Sequence, residues 1–142
     1  MKATIPTDRD VFQHSIRVKP GDIDELNHVN NVVYLQWVQE VASLHWQNRA
    51  SADQLKQWQW VVLRHEIDYH TPALMDDLVN AYTWIDLPDG PRQNRWVQFV
   101  RDRDHKPIAT ARTTWCLLDA ASGRPKRVGS EINRCLFEFI IS

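Results

Sequence analysis

Asn30-Asn-Val-Val-Tyr-Leu-Gln-Trp-Val-Gln-Glu-Val-Ala-Ser-Leu-His-Trp-Gln47 decides the fold. Val33, Tyr34, Trp37, Val38, Val41, Ala42, Leu44 and His45 recur at the three-four spacing of one helix face, and Gln36, Gln39, Glu40, Ser43 and Gln47 mark the opposite one. So wide an apolar stripe predicts a helix from Val33 that is largely enclosed by a sheet. Asn30 or Asn31 is the natural N-cap, although no Glu or Gln stands three residues on to complete a capping box.

Immediately upstream, residues 21–31 read Gly-Asp-Ile-Asp-Glu-Leu-Asn-His-Val-Asn-Asn, so an acid, an imidazole and turn-forming asparagines converge on a helix start. Asp24 has the chemistry to attack or deprotonate, and His28 to orient or shuttle. The amides that open the helix can stabilise a developing negative charge. Further upstream, Val11–Lys19 alternates like a strand, with Phe12, His14, Ile16 and Val18 on one face, and Pro20-Gly21 ends it.

Downstream, Ser51 with Gln54 makes a capping box for a short helix over Ala52–Gln57. Four β-rich runs follow, Trp58–His70, Leu78–Leu87, Arg95–Asp104 and Pro107–Asp119, with turns at Asp89-Gly90-Pro91 and Asp102–Lys106. Their regular spacing predicts an antiparallel meander in the order β-α-β-β-β-β. The tail, Ser130–Ile141, is apolar at Ile132, Leu136, Phe137 and Ile140 and reads as a last helix. One long helix followed by consecutive antiparallel strands is an α+β domain with the helix across one sheet face. The other face then needs a cover, for which dimerisation is the simplest candidate.

At 142 residues the chain has the size of a single domain, residues 1–142. Lys plus Arg number 17 against 18 Asp plus Glu, so no global field draws it to nucleic acid or an anionic membrane. The N-terminus lacks the apolar core of a signal peptide, and no membrane-length apolar run occurs. Cys116 and Cys135 have neither CxxC spacing nor histidine neighbours placed as metal ligands, so a reducing cytoplasm is the expected location. The high tryptophan count, seven, marks either a bulky core or an oligomer interface.

Three motifs together, Asp22-Ile-Asp24, His28-Val-Asn30-Asn31 and Tyr34-Leu-x-Trp37, resemble the signature of hotdog-fold acyl-CoA thioesterases of the 4-hydroxybenzoyl-CoA thioesterase type. Ile67-Asp-Tyr-His-Thr-Pro-Ala73 is similar to that family's second strand and the turn after it, so the resemblance spans essentially the whole chain. It implies a single hotdog domain, a long central helix packed on a curved antiparallel sheet. It also implies that Asp24 is the catalytic carboxylate and that the amide polarising the thioester carbonyl lies at or near Asn31. The family usually has glycine before the histidine, where this chain has Asn27, another residue that tolerates positive φ. The implied site lies between two subunits, which makes a homodimer, and its doubling to a homotetramer, the expected assembly.

Each candidate has a plainer reading. Asx turns would explain Asp22 and Asp24 without chemistry, and Asp22 is expected to tie down the loop. His28 reads as a pocket residue or a satisfied polar group. Tyr34 faces the sheet as core, one helical turn from the loop, and is a candidate acyl contact. His65, Glu66, Asp68 and His70 suggest a metal, but the histidines are five apart and fall on opposite strand faces, so none is expected. Arg124, Lys126 and Arg127 form either a solvated turn or an anchor for the phosphates of coenzyme A, with Arg92 and Arg95 as weaker candidates.

The resulting expectation is hydrolysis of an acyl-CoA, or an acyl carrier protein thioester, to free acid and thiol. The only cofactor is the coenzyme A carried by the substrate itself. Two rivals remain at this point: a hotdog dehydratase or hydratase using Asp24 with His28, and a module that binds acyl-CoA without turning it over.

Overall fold

A computed structural model describes residues 3–138. The apolar stripe forms α1, Asn31–Arg49, and buries Val33, Tyr34, Trp37, Val38, Val41, Ala42 and His45 as its spacing predicts. Leu44 is only half-buried, and Trp46 is buried beside it. Asn30 is the cap, its side-chain oxygen accepting from the Val32 N–H at 3.0 Å. Ser51 and Gln54 exchange reciprocal bonds of 3.1 and 2.8 Å and start α2, Ala52–Gln57.

The strands are β1 (Phe12–Arg17), β2 (Trp58–Tyr69), β3 (Leu78–Ile85), β4 (Arg92–Arg101) and β5 (Pro107–Asp119), and α3 (Ser130–Leu136) follows. β1 is shorter than Val11–Lys19 because the Val18 N–H leaves the ladder for Asp77 O and a 3-10 turn, Pro20–Asp22, takes over. β4 opens three residues before the expected Arg95. Asp89 and Arg92 exchange both backbone bonds around Gly90 and Pro91, with Gly90 at φ +58°, so the hairpin closes in two residues. In α3, Ile132 and Leu136 are buried as predicted and Phe137 is half-buried at the helix end. The expected extension to Ile140 and Ile141 lies outside the described residues.

The sheet is five-stranded and antiparallel, in the order β1-β3-β4-β5-β2. β3, β4 and β5 form the predicted consecutive hairpins. A meander through β2 is corrected: β2 pairs with β5 from Trp58↔Asp119 to Tyr69↔Ala109, and β1 takes the free side of β3. The chain crosses from the β2 edge to β3, next to the opposite edge, over residues 70–77, past the N-terminal end of α1, where Val29 N–H donates to Ala73 O and Arg101 Nη1 to Pro72 O.

α1 lies on one face of this sheet. Its first half packs with Val18, Val29, Val97, Phe99 and Ala109, and its second half joins Ile85, Leu117, Val128, Ile132 and Leu136 through Trp46. Burying each large apolar side chain contributes about 1.5–3 kcal/mol, which outweighs the modest helix propensity of so β-branched a segment.

The other face, expected to be apolar, is mixed: Tyr82, Trp84 and Trp96 share it with polar residues. That face carries polar side chains that satisfy one another: Ser15 to Asn80, Asn80 to Asp102, Thr110 to Gln98, Thr114 to Asn94, and Arg112 to Glu66, with Arg112 also over the Trp96 ring. Among the described residues, no helix is long and apolar enough to cross a membrane.

Candidate active site

The loop before α1 is held by bonds within itself, backbone to backbone and from backbone amides to its own Asp and Asn side chains. Asp22 Oδ2 accepts from Lys19 N–H and Asp22 O from Asn30 N–H, which is the tethering role expected of it. Asp24 N–H donates to His28 O at 2.8 Å, Asn27 N–H to Asp24 O, and Asn27 takes φ +60°. Asparagine thus fills the left-handed position where the resembled family has glycine.

Asp24 Oδ1 accepts from the amides of Leu26, at 2.9 Å, and His28, at 3.2 Å. Oδ2 accepts no hydrogen bond among the described residues. Asp24 is one wall of a cavity of about 380 Å³ lined also by His28, Asn31 and Tyr34 and, from the end of β2 and its turn, by Tyr69 and His70 among others.

α1 begins on the same wall. Val32 N–H is spent on the Asn30 side chain and Val33 N–H on Asn30 O at 2.9 Å. The Asn31 N–H has no partner among the described residues and sits at the positive end of a 19-residue helix. A carboxylate oxygen and an unpaired helical amide therefore border one cavity, the pair needed to deliver an oxygen nucleophile and to receive an oxyanion.

His28 is exposed, meets Asp24 through its backbone and is among the residues lining the cavity. Tyr34 is 2% exposed, and its hydroxyl accepts from Ala73 N–H at 3.2 Å, so it braces the crossover turn while its ring packs on Trp37, Tyr69 and Phe99. Tyr69, whose hydroxyl donates to Asn31 O at 3.3 Å, was not among the candidates. Its alternation with Ile67 on the strand's helix-facing side was the available signal.

Arg124, Lys126 and Arg127 are exposed in the turn after β5, where Lys126 N–H donates to Leu117 O. β5 is antiparallel to β2, so this turn lies beside Trp58, whereas the Asp24 loop lies beside Tyr69. The strand between spans roughly 35 Å, and one chain does not bring the two together. Arg92 shares the basic end. Arg95 is corrected as a phosphate anchor: it is 5% exposed, and its Nη1 donates to His45 Nδ1 at 2.8 Å and Thr83 Oγ1 at 3.0 Å.

His65 and His70 do fall on opposite faces, His65 bonded to Thr113 and Gln39 on the helix side and His70 to Thr110. Glu66 is taken by Arg112.

The profile of the thioesterase-like superfamily matches residues 18–136, which include the loop, α1 and every strand after it. The chain belongs to the thioesterase-like superfamily. As a thioesterase-like chain it is 22% identical over 135 residues, 91% of its length and 99% of the relative's, to the long-chain acyl-CoA thioesterase FadM of Escherichia coli. Its fold is similar to that of YbaW, a probable thioesterase from Escherichia coli, with a TM-score of 0.77 at 22% identity, covering 86% of this chain and 93% of that one. It is equally similar, at 0.77 and 15% identity over 89% and 95% of the two chains, to a 1,4-dihydroxy-2-naphthoyl-CoA thioesterase from Synechocystis. The α+β fold is thus the hotdog of these thioesterases, and thioester hydrolysis is the chemistry of the family to which the Asp24 loop belongs.

Proposed function

We propose that this chain hydrolyses acyl-CoA thioesters at the Asp24 loop. The observation that carries this reading is the division of labour at Asp24, one oxygen fixed by two amides and the other without a hydrogen bond among the described residues, on a cavity that Asn31, with its unpaired N–H, also lines. Coenzyme A is common to the substrates for which two of the relatives are named, a long-chain acyl-CoA and a naphthoyl-CoA, while another of similar fold is named for a 12:0 acyl carrier protein thioester, so acyl carrier protein stands beside CoA as carrier in this reading.

With the acyl carbonyl between them, Asn31 N–H holds the oxygen that becomes anionic while Asp24 Oδ2 either attacks the carbonyl carbon or takes a proton from an attacking water. In the second route the water oxygen bonds to carbon, the tetrahedral anion collapses, the C–S bond breaks, and the proton passes from Asp24 to the departing thiolate. No cofactor beyond the substrate's own coenzyme A enters either route. In the first route Oδ2 bonds to the carbonyl carbon, the C–S bond breaks with loss of the thiolate, and water then opens the resulting mixed anhydride to the acid and the free Asp24 carboxylate. Trapping the acyl group on Asp24 with hydroxylamine in a rapid-quench single turnover separates the routes, since only direct attack forms that anhydride.

The active assembly in this reading is a homodimer. β2 lies at the sheet edge with one side of its ladder unpaired, and Val61 and Leu63 are exposed there at 38% and 50%. Pairing β2 antiparallel with its copy sets the partner's basic turn beside the Asp24 loop, so Arg124, Lys126 and Arg127 would grip the nucleotide phosphates in trans. A pair of such dimers makes a tetramer. Free Cys116 and Cys135 fit the reducing cytoplasm we assign to it.

Thiol release from a panel of short, long, branched and aromatic acyl-CoAs tests the reading. Release is expected from at least one of them, lowered about a hundredfold or more by Asp24→Asn. Hydration of crotonyl-CoA without thiol release would make the chain a hydratase instead, and tight CoA binding without release from any member would make it a carrier.

A further inference from the structure

Trp46, Trp58, Trp60 and Trp115, four of the chain's seven tryptophans, wall a second cavity of about 300 Å³ at the far end of α1 from Asp24. The register explains the gathering. Trp60 is opposite Leu117 and Trp115 opposite Gln93 on the helix-facing side of the sheet, and Trp46 meets Trp60 edge-on from α1, ring centres 6.0 Å apart. Gln93 and Arg95 also line the cavity but are only 4% and 5% exposed, so its accessible lining is mainly apolar. Ser43 on α1 and Val61 on β2 are exposed and line it too.

Within one chain this cavity is out of reach of the Asp24 loop. Trp46 stands roughly 22 Å along α1 from the Asn31 N–H, farther than a ring or a medium-length chain extends. Dimerisation through β2 reverses that. With β2 paired antiparallel to its copy about its midpoint, the Trp58 end of one strand comes beside the Tyr69 end of the other, and Tyr69 lines the Asp24 cavity. Tyr69 packs on Tyr34 of α1, so both cavities lie on the helix-facing side and become neighbours across the interface.

Volume decides what fits. A cavity of about 150 Å³ takes one benzene ring, and a methylene fills about as much space as a water molecule, about 30 Å³. The tryptophan cavity therefore has room for two fused rings or a chain of roughly ten carbons, and not for a palmitoyl chain. Indole walls, with two rotatable bonds each, yield less than Met walls would.

We propose, on the hydrolase and dimer reading above, that the tryptophan cavity of one subunit is the acyl pocket for the partner's Asp24, and that it restricts the substrate to an apolar acyl group, ring or chain, of roughly ten carbons or fewer. The residues that set this limit are Ser43, Trp46, Trp58 and Trp60.

Thiol release from acetyl-, decanoyl-, phenylacetyl- and palmitoyl-CoA, each below its micelle-forming concentration, tests the limit. The decanoyl and phenylacetyl esters are expected to have the highest kcat/KM, with palmitoyl-CoA at least about tenfold lower than decanoyl-CoA. Ser43→Phe puts a ring into the cavity from an exposed helix position, and is expected to lower kcat/KM for the decanoyl and phenylacetyl esters at least about tenfold more than for the acetyl ester. Trp60→Ala enlarges the cavity and is expected to raise palmitoyl-CoA about tenfold relative to decanoyl-CoA. Should Ser43→Phe fail to fold, Trp60→Ala carries the size test. A mixture of Asp24→Asn and Ser43→Phe chains places the partner: each mixed dimer has one site with an intact Asp24 and an intact cavity, and about a quarter of the wild-type decanoyl-CoA activity is expected to return. Palmitoyl-CoA cleaved as well as decanoyl-CoA, equal effects of Ser43→Phe on acetyl and decanoyl esters, an unchanged size preference in Trp60→Ala, or no recovery on mixing would each overturn the proposal. If no ester is cleaved, only the hydrolase reading falls. The same order of preference is then expected in the dissociation constants of the four esters by calorimetry, and its absence there overturns the pocket.

Discussion

Because Asp24 Oδ1 holds the Leu26 and His28 amides while Oδ2 is left to the cavity, an amide side chain can replace the carboxylate without releasing the loop. Asp24→Asn is therefore expected to lower turnover by about a hundredfold to ten-thousandfold, the range of a lost base or nucleophile, with the melting temperature unchanged. Near-normal hydrolysis by that variant would remove Asp24 from the reaction. His45 sets a different limit. It is fully buried, and burial, opposed by Asp10 and reinforced by Arg95, pushes its pKa from 6.5 down to about 4. The unfolded chain takes up a proton near pH 6.5 that the folded chain refuses until about pH 4, so stability is complete above the first value and lost as pH falls toward the second. Urea unfolding at a series of pH values is expected to show a decline of up to about 3 kcal/mol across that window. A flat profile there would mean that the imidazole stays charged inside the fold.

The N-terminus of α1 joins local stability to chemistry, since the Asn30 side chain takes the Val32 N–H and leaves that of Asn31 open to the cavity. Asn30→Ala is expected to cost about 1 kcal/mol in chemical unfolding, the usual worth of a cap. It is also expected to lower kcat more than KM, because the fraying amide is needed only when the oxyanion forms. A pure KM effect would place Asn30 in ground-state binding. This helix and its cap were legible in the sequence because the three-four stripe, the asparagines and the Ser51–Gln54 box are local signals. So were the spans of β2, β3 and β5, to within a residue or two at most ends. The partner of β2 was not legible. Alternation tells which face a residue takes and nothing about which edge its strand joins, so the pairing of Trp58–Tyr69 with β5 rather than β3 had no sequence signature. The Asp10–His45–Arg95 chain escaped for the same reason: its members lie on an N-terminal segment, α1 and β4, and only the tertiary fold brings Asp10 and Arg95 each within 3 Å of His45.

The separation of the two candidate halves of the site is a property of the whole molecule. The Asp24 loop and the turn carrying Arg124, Lys126 and Arg127 sit at opposite ends of the β2–β5 ladder, roughly 35 Å apart along the strands. The pantetheine arm cannot bridge that span, so the basic turn serves either no substrate or that of a second copy. Reversing all three charges to glutamate is expected to raise KM for CoA thioesters tenfold or more while kcat holds, about 1.4 kcal/mol or more of ground-state binding. An unchanged KM leaves the turn as solvated surface. Mixing separates trans from cis action. An Asp24→Asn chain keeps its basic turn, and the charge-reversed chain keeps Asp24, so neither homodimer has a complete site if the two halves come from different subunits. A mixed dimer then has one intact site, formed by the second chain's Asp24 and the first chain's turn. Random reassociation is expected to restore about a quarter of the wild-type activity with the wild-type KM. Under cis action no mixed dimer contains an intact site, and the mixture would show only the high-KM hydrolysis of the charge-reversed chain.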